Sequence, residues 1–116
     1  MDKTQEWAIP QGLSEKGRHV AQVIASFIKK KEKERWGREA STGGCRTFYS
    51  PQEWAARGEP YGTGSLLIVV YDGGDVKPYF NMDHGWHRVE EMNDELRKVG
   101  VFAEPATCWY GSIYEI

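Results

Sequence analysis

The run Leu66-Leu67-Ile68-Val69-Val70-Tyr71 constrains the fold more than any other stretch of the chain. It is apolar without alternation, so a strand built from it needs cover on both faces and belongs inside a sheet. Asp72-Gly73-Gly74-Asp75 follows directly, and Val76 to Phe80 then returns to β-prone and aromatic residues. Glycines flanked by aspartates suit a tight turn, so a β-hairpin over residues 66–81 is expected. Pro78, without a backbone donor, pushes its second strand to an edge or a bulge.

Around this centre the periodicity changes. Val20, Val23, Ile24, Phe27 and Ile28 recur at three- and four-residue steps behind Ser14, a natural N-cap. A helix is expected from there through the charged stretch ending at Arg35, stopping before Ser41-Thr42-Gly43-Gly44. That charge run reads as a solvated helix end. Cys45 to Tyr49 is a short β-prone run, and Ser50-Pro51-Gln52-Glu53 has the residue order of a capped helix start. A short helix ending near Gly58 follows, then a loop over residues 59–65. Asp83 is placed to cap a third helix with Val89, Met92, Leu96 and Val99 on one stripe and Gly100 at its stop. Residues 107–116 read as a closing strand.

The expected fold is a single α+β domain over residues 13–116, behind an irregular lead-in over residues 1–12 whose Trp7 and Ile9 pack back onto the body. It has a small mixed or antiparallel sheet of about four strands including a central β-hairpin, two longer helices and one short one, with the helices on one side. At 116 residues, 40% apolar and 28% charged, the chain can bury its own core and does not have a disordered composition.

A net charge of −2 gives no overall footprint for nucleic acid. The distribution is uneven: residues 29–38 carry six basic and two acidic side chains, and residues 81–116 carry seven acidic and three basic ones. Nucleic acid is therefore a disfavoured partner, and no apolar run is long enough to enter a membrane. The opening residues lack the basic and apolar regions of a signal peptide, so a cytoplasmic location is expected. Cys45 and Cys108 are expected as thiols.

Several groups could carry chemistry. His84, His87 and Glu91 share a helix side beside Asp83, and two imidazoles with a carboxylate suit a divalent metal. Near a helix start such histidines are more often surface groups, so no cofactor is favoured. Asp72 and Asp75 are either paired carboxylates at a strand end or simply turn residues, and the turn accounts for all four positions. Cys45 behind Gly43-Gly44 is a candidate nucleophile, with His19, His84 or His87 as its base, against the reading of a buried thiol. The chain holds five Trp and six Tyr, more than a small core readily takes in, and Tyr79, Trp86 and Tyr110 are candidates for a partner-binding surface.

Three stretches together resemble a family of small uncharacterised proteins of bacteriophages, prophages and plasmids. They are Thr42-Gly43-Gly44-Cys45 with Phe48-Tyr49-Ser50-Pro51 and Glu53-Trp54; Leu67-Ile68-Val69-Val70 with Asp72-Gly73-Gly74-Asp75 and Tyr79-Phe80-Asn81; and Cys108-Trp109-Tyr110 with Ile113-Tyr114. The resemblance spans roughly residues 42–116, with residues 13–17 as an extension, and implies a genomic setting without any site residues. The functional expectation is a non-enzymatic accessory factor that binds a host or phage protein, for example a defence component. Monomer and dimer are both compatible with the sequence. The alternative is a small enzyme or ligand- or metal-binding module built on the Asp, His and Glu candidates.

Overall fold

The structure is a computed structural model that describes residues 6–116. Helix α1 (Glu15–Trp36) starts where expected: the Ser14 hydroxyl accepts from the Gly17 amide, and Gly37 closes the helix in the left-handed region with its N–H on the Lys33 carbonyl. Strand β1 (Phe48–Tyr49) leads into α2 (Pro51–Ala56). Ser50 and Glu53 form a reciprocal capping box at the start of α2. Strand β2 (Leu67–Val70) is buried along its whole length. Helix α3 (His87–Lys98), strand β3 (Val101–Pro105) and strand β4 (Tyr110–Glu115) complete the chain.

The four strands form one antiparallel sheet in the order β1-β2-β4-β3. The α+β class and the central position of the apolar run are as the sequence indicates. The hairpin is elsewhere: it joins β3 to β4, and residues 76–80 form no strand. After β2 the chain turns out of the sheet into a 3-10 turn (Lys77–Tyr79), and a second one (Met82–His84) leads towards α3. β4 takes the place beside β2 that the returning strand would have filled.

The Asp-Gly-Gly-Asp segment leaves the sheet because it is fastened to another loop. Gly74 sits at φ +64° with its backbone so close to residues 41–43 that an added Cβ would stand 2.4 Å from the Gly43 nitrogen. The Asp75 amide donates to the Ser41 carbonyl at 2.7 Å, and the Asp75 carboxylate accepts from the Ser41 amide at 2.8 Å. Only a residue without a side chain fits this crossing.

The sheet has a core on each face, so the helices are not confined to one side. On one face Phe48, Leu67, Val69, Val101 and Ile113 pack with Val20, Ile24 and Ile28 of α1 and Met92 and Leu96 of α3. Trp7 and Ile9 pack against this core, Trp7 with its ring centroid 6.4 Å from that of Phe48. On the other face α2 lays Trp54 over Ile68, Val70 and Tyr110. Trp54 lies 4.8 Å from the Tyr110 ring, 5.0 Å from Tyr49 and 5.7 Å from Trp109, with the Arg57 guanidinium 4.5 Å above it. Much of the aromatic surplus is therefore interior packing. Asp83 does not cap α3. The Asn81 side chain instead accepts from the Asp83 amide and caps the second 3-10 turn.

The fastening predicts unequal effects at neighbouring glycines. Gly74→Ala should cost about 2–4 kcal/mol in denaturant unfolding, from the left-handed conformation and the backbone clash together. Gly73→Ala, with open space around it and no positive φ, should stay within about 0.5 kcal/mol of the parent. Equal effects at the two positions would contradict the crossing.

Candidate functional site

The structure separates most of the chemical candidates. Asp75 takes a two-pronged contact from Arg38 at 2.8 and 3.1 Å, and that guanidinium holds its carboxyl below the usual carboxylate range. Asp72 is exposed at the other end of the turn. Glu91 reaches back to α1, 3.4 Å from Lys31 and 3.7 Å from Arg35. His87 is exposed with its ring 3.9 Å from that of Trp86, while the side chain of His84 lies outside the described residues. Among the described residues no three His, Cys, Asp or Glu side chains come together as a metal site. Cys45 is half-buried and Cys108 exposed, both as free thiols, and His19 is exposed on α1.

Two of the three proposed surface aromatics are interior. Tyr79 and Tyr110 are each 1% exposed, Tyr79 beneath α1 and Tyr110 beneath Trp54. Trp86 alone of the three is on the surface. The Tyr79 hydroxyl donates to Glu32 at 2.8 Å, and Glu32, itself buried, also accepts from Trp36 Nε1 at 3.1 Å and Arg35 at 3.2 Å. Sequence reasoning passed over Glu32 as part of a solvated charge run. The available signal was its spacing, four residues beyond Ile28 and eight beyond Ile24, on the buried stripe of α1.

Because residues 76–82 cross the sheet face instead of joining it, a cavity of about 230 Å³ is left between them, the sheet and α3. Its inner wall is Val69, Tyr71, Phe80 and Ile113, with Tyr71 and Phe80 stacked at 5.4 Å. The Tyr71 hydroxyl does not face the cavity as a free donor: it donates to the carbonyls of Tyr110 and Thr107 at 2.8 and 3.0 Å. Met82, Glu104 and Pro105 are the exposed lining residues and so form the mouth, with half-buried Val89 and Asn93 contributed by α3. A cavity of this size and lining takes one apolar side chain or a small apolar ligand. A larger cleft of about 740 Å³, between the N-terminal segment and α1, has Lys29, Lys33, Glu6 and Glu39 in its wall. Lys29 there lies 5.3 Å from the Trp7 ring centroid. That cleft is broad and mixed in charge; the smaller cavity is the better-defined site.

The cavity adjoins an open strand edge. Gly100 accepts from the Ile116 amide, and the Ala106 amide donates to Tyr110. In that register Phe102 and Glu104 exchange backbone bonds with β4. The N–H and C=O groups of Val101 and Ala103 point away from β4; Val101 is completely buried, so of the two only half-buried Ala103 lies at an accessible edge. On the opposite face of β3 Phe102 stacks on Tyr114 at 5.8 Å and is exposed.

Comparison with protein-family models, with curated proteins and with solved structures returns no match. The site must therefore be read from its own geometry.

Burial of the cavity tyrosines has a consequence at high pH. Burial first, with Cys108 and Tyr110 adding to it, pushes the Tyr71 phenol up to about 12. Burial and then the Glu32 carboxylate push Tyr79 higher still. A raised phenol favours the folded state fully below the ordinary tyrosine value near 10, and the benefit is lost as pH rises from about 10 through about 12. In an alkaline titration followed by phenolate absorbance and circular dichroism together, ionisation of Tyr71 and Tyr79 should coincide with loss of the folded signal. Ionisation of both with the folded spectrum intact would show that the cavity wall is solvent-open.

Proposed function

We propose that the chain is a non-catalytic accessory factor of a phage or other mobile element, acting by binding a host or defence protein. The observation that carries the binding part is the exposed apolar surface beside the cavity: Met82 is 65% exposed and Trp86 54% exposed, on the segment leading into α3. Aromatic and Met side chains are enriched where proteins meet, and a small chain gains little by leaving them in water. The His87 ring against Trp86 limits the freedom of that indole, which lowers the entropy lost on contact. The mobile-element setting rests on the resemblance of residues 42–54, 67–81 and 108–114 alone. The alternative of an Asp, His and Glu centre has less support, because Asp75 and Glu91 are already engaged by Arg38, Lys31 and Arg35.

Affinity capture from bacterial lysate tests this reading. Wild-type protein should retain a defined partner, Trp86→Ala should lower its capture about tenfold or more, and Tyr61→Ala, an exposed aromatic on the 59–65 loop, should leave it unchanged. No partner above background, or equal capture by the Trp86 and Tyr61 variants, would overturn it.

A further inference from the structure

We infer that the 230 Å³ cavity is an anchor pocket: it takes one bulky apolar side chain of the partner protein, flanked in the partner's sequence by Lys or Arg. The inference rests on the protein-binding reading above and names the chemistry of the segment that is bound.

The cavity wall supplies the first part. Val69, Tyr71, Phe80 and Ile113 form its inner side, and Ala103 lines it with a side chain too small to close it. The phenol hydroxyls of the wall are engaged elsewhere: Tyr71 donates to the Tyr110 and Thr107 carbonyls, and Tyr79 donates to Glu32. The inner wall therefore presents carbon, and a guest is held by burial of apolar surface. The volume matches about eight waters at their liquid share, the bulk of one Leu, Phe or Trp side chain.

The rim supplies the second part and separates a protein from a free small molecule. Trp86, the N-cap residue of α3, is followed at three- and four-residue steps by Val89, Glu90 and Asn93, so these four share one side of the helix. Val89 and Asn93 line the cavity, which puts exposed Trp86 and Glu90 beside its mouth. Met82 lines the mouth from the 3-10 turn. A small molecule in the cavity would leave Met82 and Trp86 in water. A protein segment whose anchor enters the cavity covers them in the same contact, as a buried centre with an apolar surround. The Asn93 carboxamide has no hydrogen-bond partner among the described residues and can bond the segment's backbone beside the anchor.

Charge supplies the third part and selects the flanking residues. Glu91, Asp94 and Glu95 of α3 are paired with Lys31 and Arg35, Arg97 and Lys98 respectively. Glu90, and Asp83 next to Met82, are exposed and form no ion pair among the described residues. Arg88 falls off the side of the helix that holds Glu90. Lys or Arg beside the anchor gains these two carboxylates without breaking an existing pair. A second copy of this chain would bring the same acids against them, so the occupant is a different protein.

The experiment titrates isotope-labelled full-length protein with the capped peptides Lys-Ser-Trp-Ser-Lys and Lys-Ser-Leu-Ser-Lys. Controls replace the anchor by Ala or both Lys by Glu, and indole alone probes the cavity without charge or backbone. At least one anchor peptide should shift the methyl signals of Val69, Val89 and Ile113. The Ala peptide should bind about tenfold more weakly or not at all. Glu90→Lys should weaken the Lys peptides and favour the Glu peptides, whereas Glu34→Lys, an exposed change on α1, should do neither. Ala103→Leu, which places its own carbons in the cavity, should abolish the methyl shifts without lowering the melting temperature. No methyl shift with either anchor peptide, or equal binding of anchor and Ala peptides, would overturn the pocket. Indole binding as tightly as the Trp peptide, with Glu90→Lys without effect, would make it a small-molecule site instead. If Ala103→Leu and Glu90→Lys both keep a lysate partner that Trp86→Ala loses, the anchor pocket fails and the broader binding reading stands. Concentration-dependent shifts of the same methyls without peptide would overturn the choice of occupant.

Discussion

The close crossing of Gly74 over residues 41–43 decides where the middle of the chain goes. A turn of two glycines between aspartates can close a hairpin, but here its backbone is pressed against another loop and bonded to it. The Asp75 carboxylate holds the Ser41 amide and the Arg38 guanidinium at once. Arg38 follows the left-handed cap of α1, so the end of that helix, the 41–43 loop and the exit from β2 are tied at one point. Farther along, the Tyr79 hydroxyl donates to buried Glu32 and fixes the 3-10 turn to the same helix. Both ties pull residues 72–79 towards α1 and away from the sheet plane.

The remaining architecture follows from that departure. With no returning strand beside β2, β4 pairs there, and β3 becomes the outer strand of the β3–β4 hairpin. The segment that leaves the sheet still has aromatic residues to bury, and it lays Tyr79 and Phe80 across the sheet face. It does not fill that face completely, which leaves the cavity between Tyr71, Phe80, Ile113 and α3. One departure thus accounts for both an open strand edge and an apolar cavity beside it. The acidic character of residues 81–116 then sets the charge around both.

The sequence made local features legible and long-range ones much less so. Ser14, the Ser50 to Glu53 box and Gly100 act through bonds within a few residues, and each marks a helix boundary where expected. The burial of residues 67–70 on both faces was equally readable from unbroken apolarity. What the sequence concealed depends on contacts between distant segments. Nothing local to Asp72-Gly73-Gly74-Asp75 distinguishes a hairpin turn from one docked on a loop about thirty residues earlier. β3 was missed because Val101 to Pro105 contains Ala, Glu and Pro, poor strand formers that are ordered here by pairing with β4. For the site, Trp86 was readable as an exposed aromatic. Tyr79 and Tyr110 were misplaced because type alone does not separate a buried ring from a surface one.

The central claim is that the chain leaves the sheet after β2 and that β3 consequently keeps an unpaired outer edge. Native-state amide hydrogen exchange of the free protein measures this residue by residue. The account predicts slow exchange at Phe102 and Glu104, whose amides face β4, fast exchange at half-buried Ala103, and no ladder-type alternation across residues 76–80. Comparable protection at Ala103 and Glu104, or alternating protection through residues 76–80, would contradict it.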